Sequence, residues 1–256
     1  MKSIRLLFVA FLAVFSIIGC ARINPVITEA TDRGQLAPGA TYLSKTKIDS
    51  LKNATARYEA YNPEGKLKWT GTAWAFYQGK THSVWMTCRH VANDSGEAKI
   101  IYKDASGVYM AGNVLALKVH DGVDSEDMAV FLSDAKPASV MKLASEELED
   151  SLKAYYSKPQ DYSKKPPILM ASSGHFAGIF PAVVTVGVFQ GYSDIGINTS
   201  VGGWYGVSGS AIVDLNSMSV VGMQYRFAER YRSDNIAGVP VSTIKEFLST
   251  VDGLED

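Results

Sequence analysis

The chain has only 2 cysteines in 256 residues, which excludes a small scaffold stapled by disulfides. It has no excess of either charge: 25 basic side chains face 26 acidic ones, so the basic surface that grips nucleic acid is missing. Its 4 histidines show no metal-ligand spacing, and no Gly-rich phosphate loop is present. No metal or organic cofactor is expected. Long hydrophobic runs are missing too. The charge-free stretch from Leu6 to Ile18 is shorter than the roughly 20 apolar residues a membrane helix needs. What is there is a 46% apolar and 11% aromatic composition, enough for a packed globular core.

The Leu6–Ile18 run reads as part of a targeting segment, because Lys2 and Arg5 precede it and Ile17-Ile18-Gly19-Cys20 ends it. That ending resembles a bacterial lipobox, whose cysteine receives lipid. An ordinary secretory signal with a coincidental cysteine is the alternative. By the resemblance, residues 1–19 are a signal peptide, Cys20 is the lipidation site carrying palmitate-type chains, and the protein is held on the cell envelope. Ala21 after the cysteine, rather than aspartate, implies the outer membrane facing the periplasm. Lipidation of Cys20 would leave Cys88 as the free thiol, so the core alone must stabilise the fold. Residues 20–54 are polar, with Pro25 and Pro38, and read as a tether ending in a short helix over 48–54.

From Arg57 onward the pattern is β. Lys66 to Tyr77 and His82 to Thr87 are rich in aromatic and β-branched residues around a Gln78-Gly79-Lys80 turn. Asn62-Pro63-Glu64-Gly65 is a second turn, with proline presetting one dihedral and glycine permitting the return. The spacing predicts an all-β protein with a first barrel over 55–134. A connection follows over 135–167, with a helix over 139–156 whose acidic residues face solvent. A second β set with a closing C-terminal helix completes the chain over 168–256, the short strands and regular turns favouring a barrel or sandwich over an α/β sheet. That closing helix is expected over 243–251, capped by Ser242. Cys88 is expected to be a buried strand residue, and His82, His120 and His175 surface or turn residues. Trp69, Trp74, Trp85 and Trp204 are expected in the core, with Trp204 also near substrate.

Three segments carry chemistry. Gly71-Thr72-Ala73-Trp74-Ala75-Phe76 leads to Thr87-Cys88-Arg89-His90-Val91. Asp127-Met128-Ala129-Val130 follows, and then Gly206-Val207-Ser208-Gly209-Ser210. A serine hydroxyl needs an adjacent base, and the base needs an orienting carboxylate. A serine between Gly206 and Gly209 can sit on a tight turn with N–H groups aimed inward. The order His, Asp, Ser excludes the α/β-hydrolase arrangement, in which Ser comes first within Gly-x-Ser-x-Gly. The set resembles the trypsin-like serine peptidases of the chymotrypsin superfamily, in the bacterial branch that includes HtrA proteases and glutamyl endopeptidases. The likeness spans roughly residues 56–250.

The resemblance implies two six-stranded antiparallel barrels and a peptide-bond hydrolase acting on protein or peptide substrates. It implies His90, Asp127 and Ser208 as the triad and the N–H groups of Gly206 and Ser208 as the oxyanion hole. It also implies a substrate pocket bordered by Gly202, Gln224, Tyr225, Arg226 and Gly238. Asp124 competes with Asp127 in sequence, but only Asp127 carries the Asp-x-Ala pattern. The chain departs from the family at Val207, where Asp or Asn is usual, and at Ala211, where proline is usual. Val207 cannot pair with a new N-terminus, so no such activation is expected. These departures keep a second reading open, a catalytically silent protease fold serving as a binding module or scaffold. Gly202 stands where trypsin-like enzymes place a carboxylate, which disfavours cleavage after Lys or Arg and favours a small or apolar side chain. Arg226 could attract an acidic side chain or plug the pocket.

Overall fold

The computed structural model describes residues 43–92, 97–122, 126–156, 165–178, 180–194, 196–227 and 236–254. The signal segment, Cys20 and Asp124 lie outside them. The described body begins with helix α1 (Lys45–Asn53), whose N-terminus is capped by the Ser44 hydroxyl accepting the Lys47 N–H. Leu51 is buried and Ala54 follows it into the core. This part of the stretch assigned to a tether is therefore docked on the domain rather than free.

Six strands form a closed antiparallel barrel: β1 (Thr55–Tyr61), β2 (Leu67–Gln78), β3 (Ser83–Thr87), β4 (Glu97–Lys103), β5 (Tyr109–Val119) and β6 (Ala129–Ser133). Their order around the barrel is β1-β2-β3-β6-β5-β4. Closure removes every exposed strand edge. Its interior is filled by Tyr58, Trp85 and Phe131, all buried. Phe131 stacks on Trp85 at 6.4 Å and meets Tyr58 edge-on at 5.4 Å.

A short strand β7 (Lys142–Leu143) and helix α3 (Glu146–Tyr155) connect the barrels, α2 (Arg89–Ala92) being the single turn after β3. The helix expected over 139–156 is thus shorter at its start. Ser145 caps it by accepting the Leu148 N–H, and Lys142–Leu143 instead pair in parallel with the second barrel. The charged face is also less solvated than expected. Glu149 is buried, accepting bonds from Ser242 Oγ at 2.7 Å and Lys153 Nζ at 3.1 Å. Satisfied this way, a carboxylate can sit in a packed interface.

The second barrel comprises β8 (Leu169–Gly174), β9 (Val183–Ser193), β10 (Gly196–Thr199), β11 (Ala211–Asp214), β12 (Ser219–Phe227) and β13 (Ile236–Pro240). The sheet runs β11-β8-β9-β10-β13-β12, and the β11–β12 pairing closes it. Helix α4 (Val241–Ser249) ends the fold with Val241, Ile244 and Phe247 buried. Its N-cap is Pro240, not Ser242, because the Ser242 hydroxyl is committed to Glu149. Val184, Ala211, Val213, Val220, Met223, Ala237 and Val239 of the second barrel belong to the same apolar cluster as the first-barrel core. The two barrels therefore share an apolar interface. Trp74 and Trp85 are buried as expected, whereas Trp69 and Trp204 are each 53% exposed.

Phe131→Ala should lower unfolding free energy by about 3–5 kcal/mol through the cavity it leaves. The readout is a shifted urea midpoint at constant slope. Leu115→Ala, at a side chain 58% exposed, should change it by no more than about 0.5 kcal/mol.

Candidate active site

Strand β3 ends at Thr87, and the chain turns at once into α2. The Val91 and Ala92 N–H groups donate to Cys88 O at 3.2 and 3.1 Å. This single turn lifts His90 to the surface, where its side chain is half exposed. Strand β6 pairs with β3 in the register Thr87↔Ala129, so Asp127, just before β6, lies beside His90. Asp127 is buried. One of its carboxylate oxygens accepts the His90 backbone N–H at 2.9 Å, and the other bonds the ring Nδ1. Both halves of the carboxylate are thus spent on one residue. With the Nδ1 proton donated to Asp127, the lone pair of Nε2 faces outward. Arg89 reinforces the corner by donating to His120 O at 3.2 Å and Gly122 O at 2.6 Å.

Cys88 lies beneath this pair. Its thiol donates to Gln224 O at 3.1 Å. Burial, followed by the nearby Asp127 charge, pushes the thiol up well above its ordinary range. Ligating atoms of Cys88, His90 and Asp127 fall within 4.8 Å of one another, the only such group among the described residues. With the thiol protonated and the carboxylate engaged by His90, the group is built as a hydrogen-bond network.

Ser208 comes from the second barrel. The Val207 N–H donates to Trp204 O at 3.2 Å, closing a turn with Gly206 at φ 91°. A turn with positive φ at its third residue requires glycine there. Gly209 is at φ 90°, and a Cβ on it would lie 2.1 Å from Thr72 O, 2.6 Å from Thr87 Oγ1 and 3.1 Å from Cys88 N. The peptide after Ser208 is therefore pressed against the same β3–α2 corner that carries His90.

Thr72 of β2 holds it there. Its N–H donates to Ser208 O at 2.9 Å and its hydroxyl to Gly206 O at 2.7 Å. The same hydroxyl accepts the His175 N–H at 3.0 Å, and Thr72 O accepts the Thr87 hydroxyl at 2.8 Å. From the other side, Gly209 N–H donates to Gln224 O at 2.8 Å. The N–H groups of Gly206 and Ser208 have no acceptor among the described residues, and no His90–Ser208 hydrogen bond is formed.

The remaining sequence-derived residues scatter more. Gly202 is half-buried against Thr185, 3.2 Å from where its Cβ would be. Gln224 and Tyr225 are buried. Gly238 pairs with Gln224, and a Cβ on it would strike Ile212 at 2.4 Å, so it packs into the barrel. Arg226 lies on β12, but its side chain is outside the description. His175 is buried, not at the surface, and packs 4.8 Å from the Phe180 ring. Sequence reasoning missed Thr72 and His175 as parts of the site. Thr72 had a signal, since it sits in the quoted Gly71-Thr72-Ala73 motif. His175 had none, because its partner is distant in sequence.

Comparison with known proteins agrees with this geometry at the level of fold. A family model described as a trypsin-like peptidase domain matches residues 71–223. No curated protein matches the chain. Among solved structures, a serine endoprotease from Yersinia pestis is similar with a TM-score of 0.60 at 15% identity. That match covers 82% of this chain and 67% of the other. The HtrA-type protease AlgW, solved with a tripeptide, is similar with a TM-score of 0.58 at 17% identity, over 79% of this chain and 61% of its own. The chain thus spans about three-fifths of AlgW's length. With 71–223 matched and both six-stranded barrels in place, this chain belongs to the trypsin-like peptidase family.

Proposed function

We propose that the protein is a serine endopeptidase in which Ser208 is the nucleophile, His90 the general base and Asp127 its orienting acid. One observation carries this reading: buried Asp127 bonds both the backbone and the ring of His90, at the corner against which the Ser208 turn is pressed. The Ser208 hydroxyl attacks the scissile carbonyl while His90 Nε2 takes its proton. Negative charge then develops on the carbonyl oxygen. The N–H groups of Gly206 and Ser208, which have no acceptor among the described residues, receive it. His90 returns the proton to the leaving amine, and water repeats the sequence on the acyl-enzyme. Thr72 positions the turn without touching substrate.

The missing His90–Ser208 hydrogen bond favours a second reading, a silent binding module built on the same fold. Such contacts are often long without substrate and tighten on binding, which is why the first reading is preferred. We further propose that the protein is lipid-anchored through Cys20 to the bacterial envelope, on the outer membrane facing the periplasm. The Ile17-Ile18-Gly19-Cys20 ending and Ala21 support this.

A fluorophosphonate probe should label the full chain, and Ser208→Ala should abolish labelling and cut peptide hydrolysis by at least about 1000-fold. Absence of labelling in the unaltered chain would select the binding-module reading. Thr72→Val, which removes the hydroxyl at constant shape, should lower kcat by roughly 10–100-fold with KM little changed. Thr72→Ser should restore the rate. Cys20→Ser should abolish metabolic incorporation of labelled palmitate and release the protein from the membrane fraction; unchanged sedimentation would refute the anchor.

A further inference from the structure

The interior of the second barrel is polar close to the nucleophile. Gln224 is 2% exposed and Ser210 fully buried. Gln224 N–H donates to Ser210 O at 2.8 Å, continuing the Ala211↔Met223 register, so the two side chains are cross-strand neighbours on one face. That face is the barrel interior, because Gly222 and Gly238 share it with Gln224 and both abut Ile197. Ser210 is two residues from Ser208, and Gln224 O accepts the Gly209 N–H. Among the described residues, Gln224 Oε1 and Nε2 and Ser210 Oγ have no hydrogen-bond partner.

Buried polar groups without partners are scarce in native proteins and destabilising. An amide and a hydroxyl left open on one face, beside a nucleophile, mark a place where a guest supplies the missing bonds. We infer that this pair recognises the side chain preceding the scissile bond, and that the preferred side chain is a primary carboxamide, glutamine or asparagine. The inference rests on the serine-peptidase reading of Ser208 and replaces the small or apolar residue expected from Gly202.

Complementarity decides the choice. The Gln224 amide offers one donor group and one acceptor, and a carboxamide guest answers both. The Ser210 hydroxyl can serve as either. An apolar guest would seal the three atoms in without partners, the kind of mismatch that polar sites reject most strongly. A carboxylate guest would be desolvated where no described cation is bonded to Gln224 or Ser210. A lysine or arginine guest would find glycine at position 202 instead of an acid.

The test uses the full chain with a peptide library varied at the residue before the cleaved bond. Glutamine or asparagine substrates should be cut about tenfold or more faster than leucine, valine or glutamate ones, the scale of one well-made buried hydrogen bond. Gln224→Leu, checked for folding by circular dichroism, should reverse that order in favour of leucine. Ser210→Ala should weaken it should the first variant not fold. A second arm measures binding of product-like peptides ending in glutamine or leucine to Ser208→Ala by calorimetry, with the glutamine peptide expected to bind tighter. Preferred cleavage after apolar residues or glutamate would overturn the inference and leave the peptidase reading intact. Absence of both labelling and cleavage would overturn the peptidase reading. The binding arm then decides alone, and equal affinity for the two peptides overturns the inference.

Discussion

Thr72 is where the two barrels are tied at the site. Its N–H and hydroxyl bind two carbonyls of the Gly206–Ser208 turn, its carbonyl binds Thr87, and its hydroxyl also receives the His175 N–H. Each bond contributes about 1 kcal/mol net, a small share of the fold's stability. Their value is geometric. The turn starts at Gly206 and is followed by Gly209, both at positive φ, and a chain so permissive would explore many shapes if released. Gripping it from β2, beside the strand that feeds His90, removes that freedom where a sub-ångström error would matter.

The first barrel supplies the complementary half. Its aromatic core fixes β3 and β6 against each other, and their register leaves Asp127 no choice of neighbour but His90. A buried carboxylate with one cationic or hydrogen-bonding partner is costly to leave unpaired. Here the two oxygens are satisfied by a backbone N–H and a ring nitrogen of the same residue. The corner is therefore stiff in both position and ring orientation. One barrel thus orients His90, and the other restrains the Gly206–Ser208 turn.

The strand-rich pattern was legible as short alternating runs between turns, whereas the two-barrel arrangement came through the family resemblance carried by the His90, Asp127 and Ser208 motifs. The His90, Asp127 and Ser208 segments were legible because each lies on a local motif with its own strand or turn. Legibility failed where a distant partner overrode local preference. Val140 and Leu143 have helical spacing with Leu148, yet Lys142–Leu143 is captured by the edge of β12. Glu149 reads as a surface charge, yet Ser242 reaches it across the molecule. Trp69 and Trp204 read as core by residue type alone, yet Trp69 stands on an exposed part of β2 and Trp204 on the loop before the Gly206 turn. His175 reads as a loop residue, yet the Thr72 hydroxyl and the Phe180 ring draw it inside.

Val207 shows how this chain settles the Gly206–Ser208 turn by packing. Where the family usually has Asp or Asn, a carboxylate in this place would need a cation brought to it before the turn could settle. Val207 is buried and leans on Gly174, whose Cβ, were there one, would lie 3.1 Å from the valine methyl. Apolar contact needs no proton, no partner charge and no liberated terminus. It is already satisfied once β8 and the turn are in place. The same glycine sits 2.4 Å, by the same measure, from the Ser210 hydroxyl. One bare backbone position thus lets an apolar and a polar side chain pack side by side behind Ser208. The turn is held by Val207 packing on one flank, by Thr72 on the other, and by the Gln224 carbonyl at Gly209.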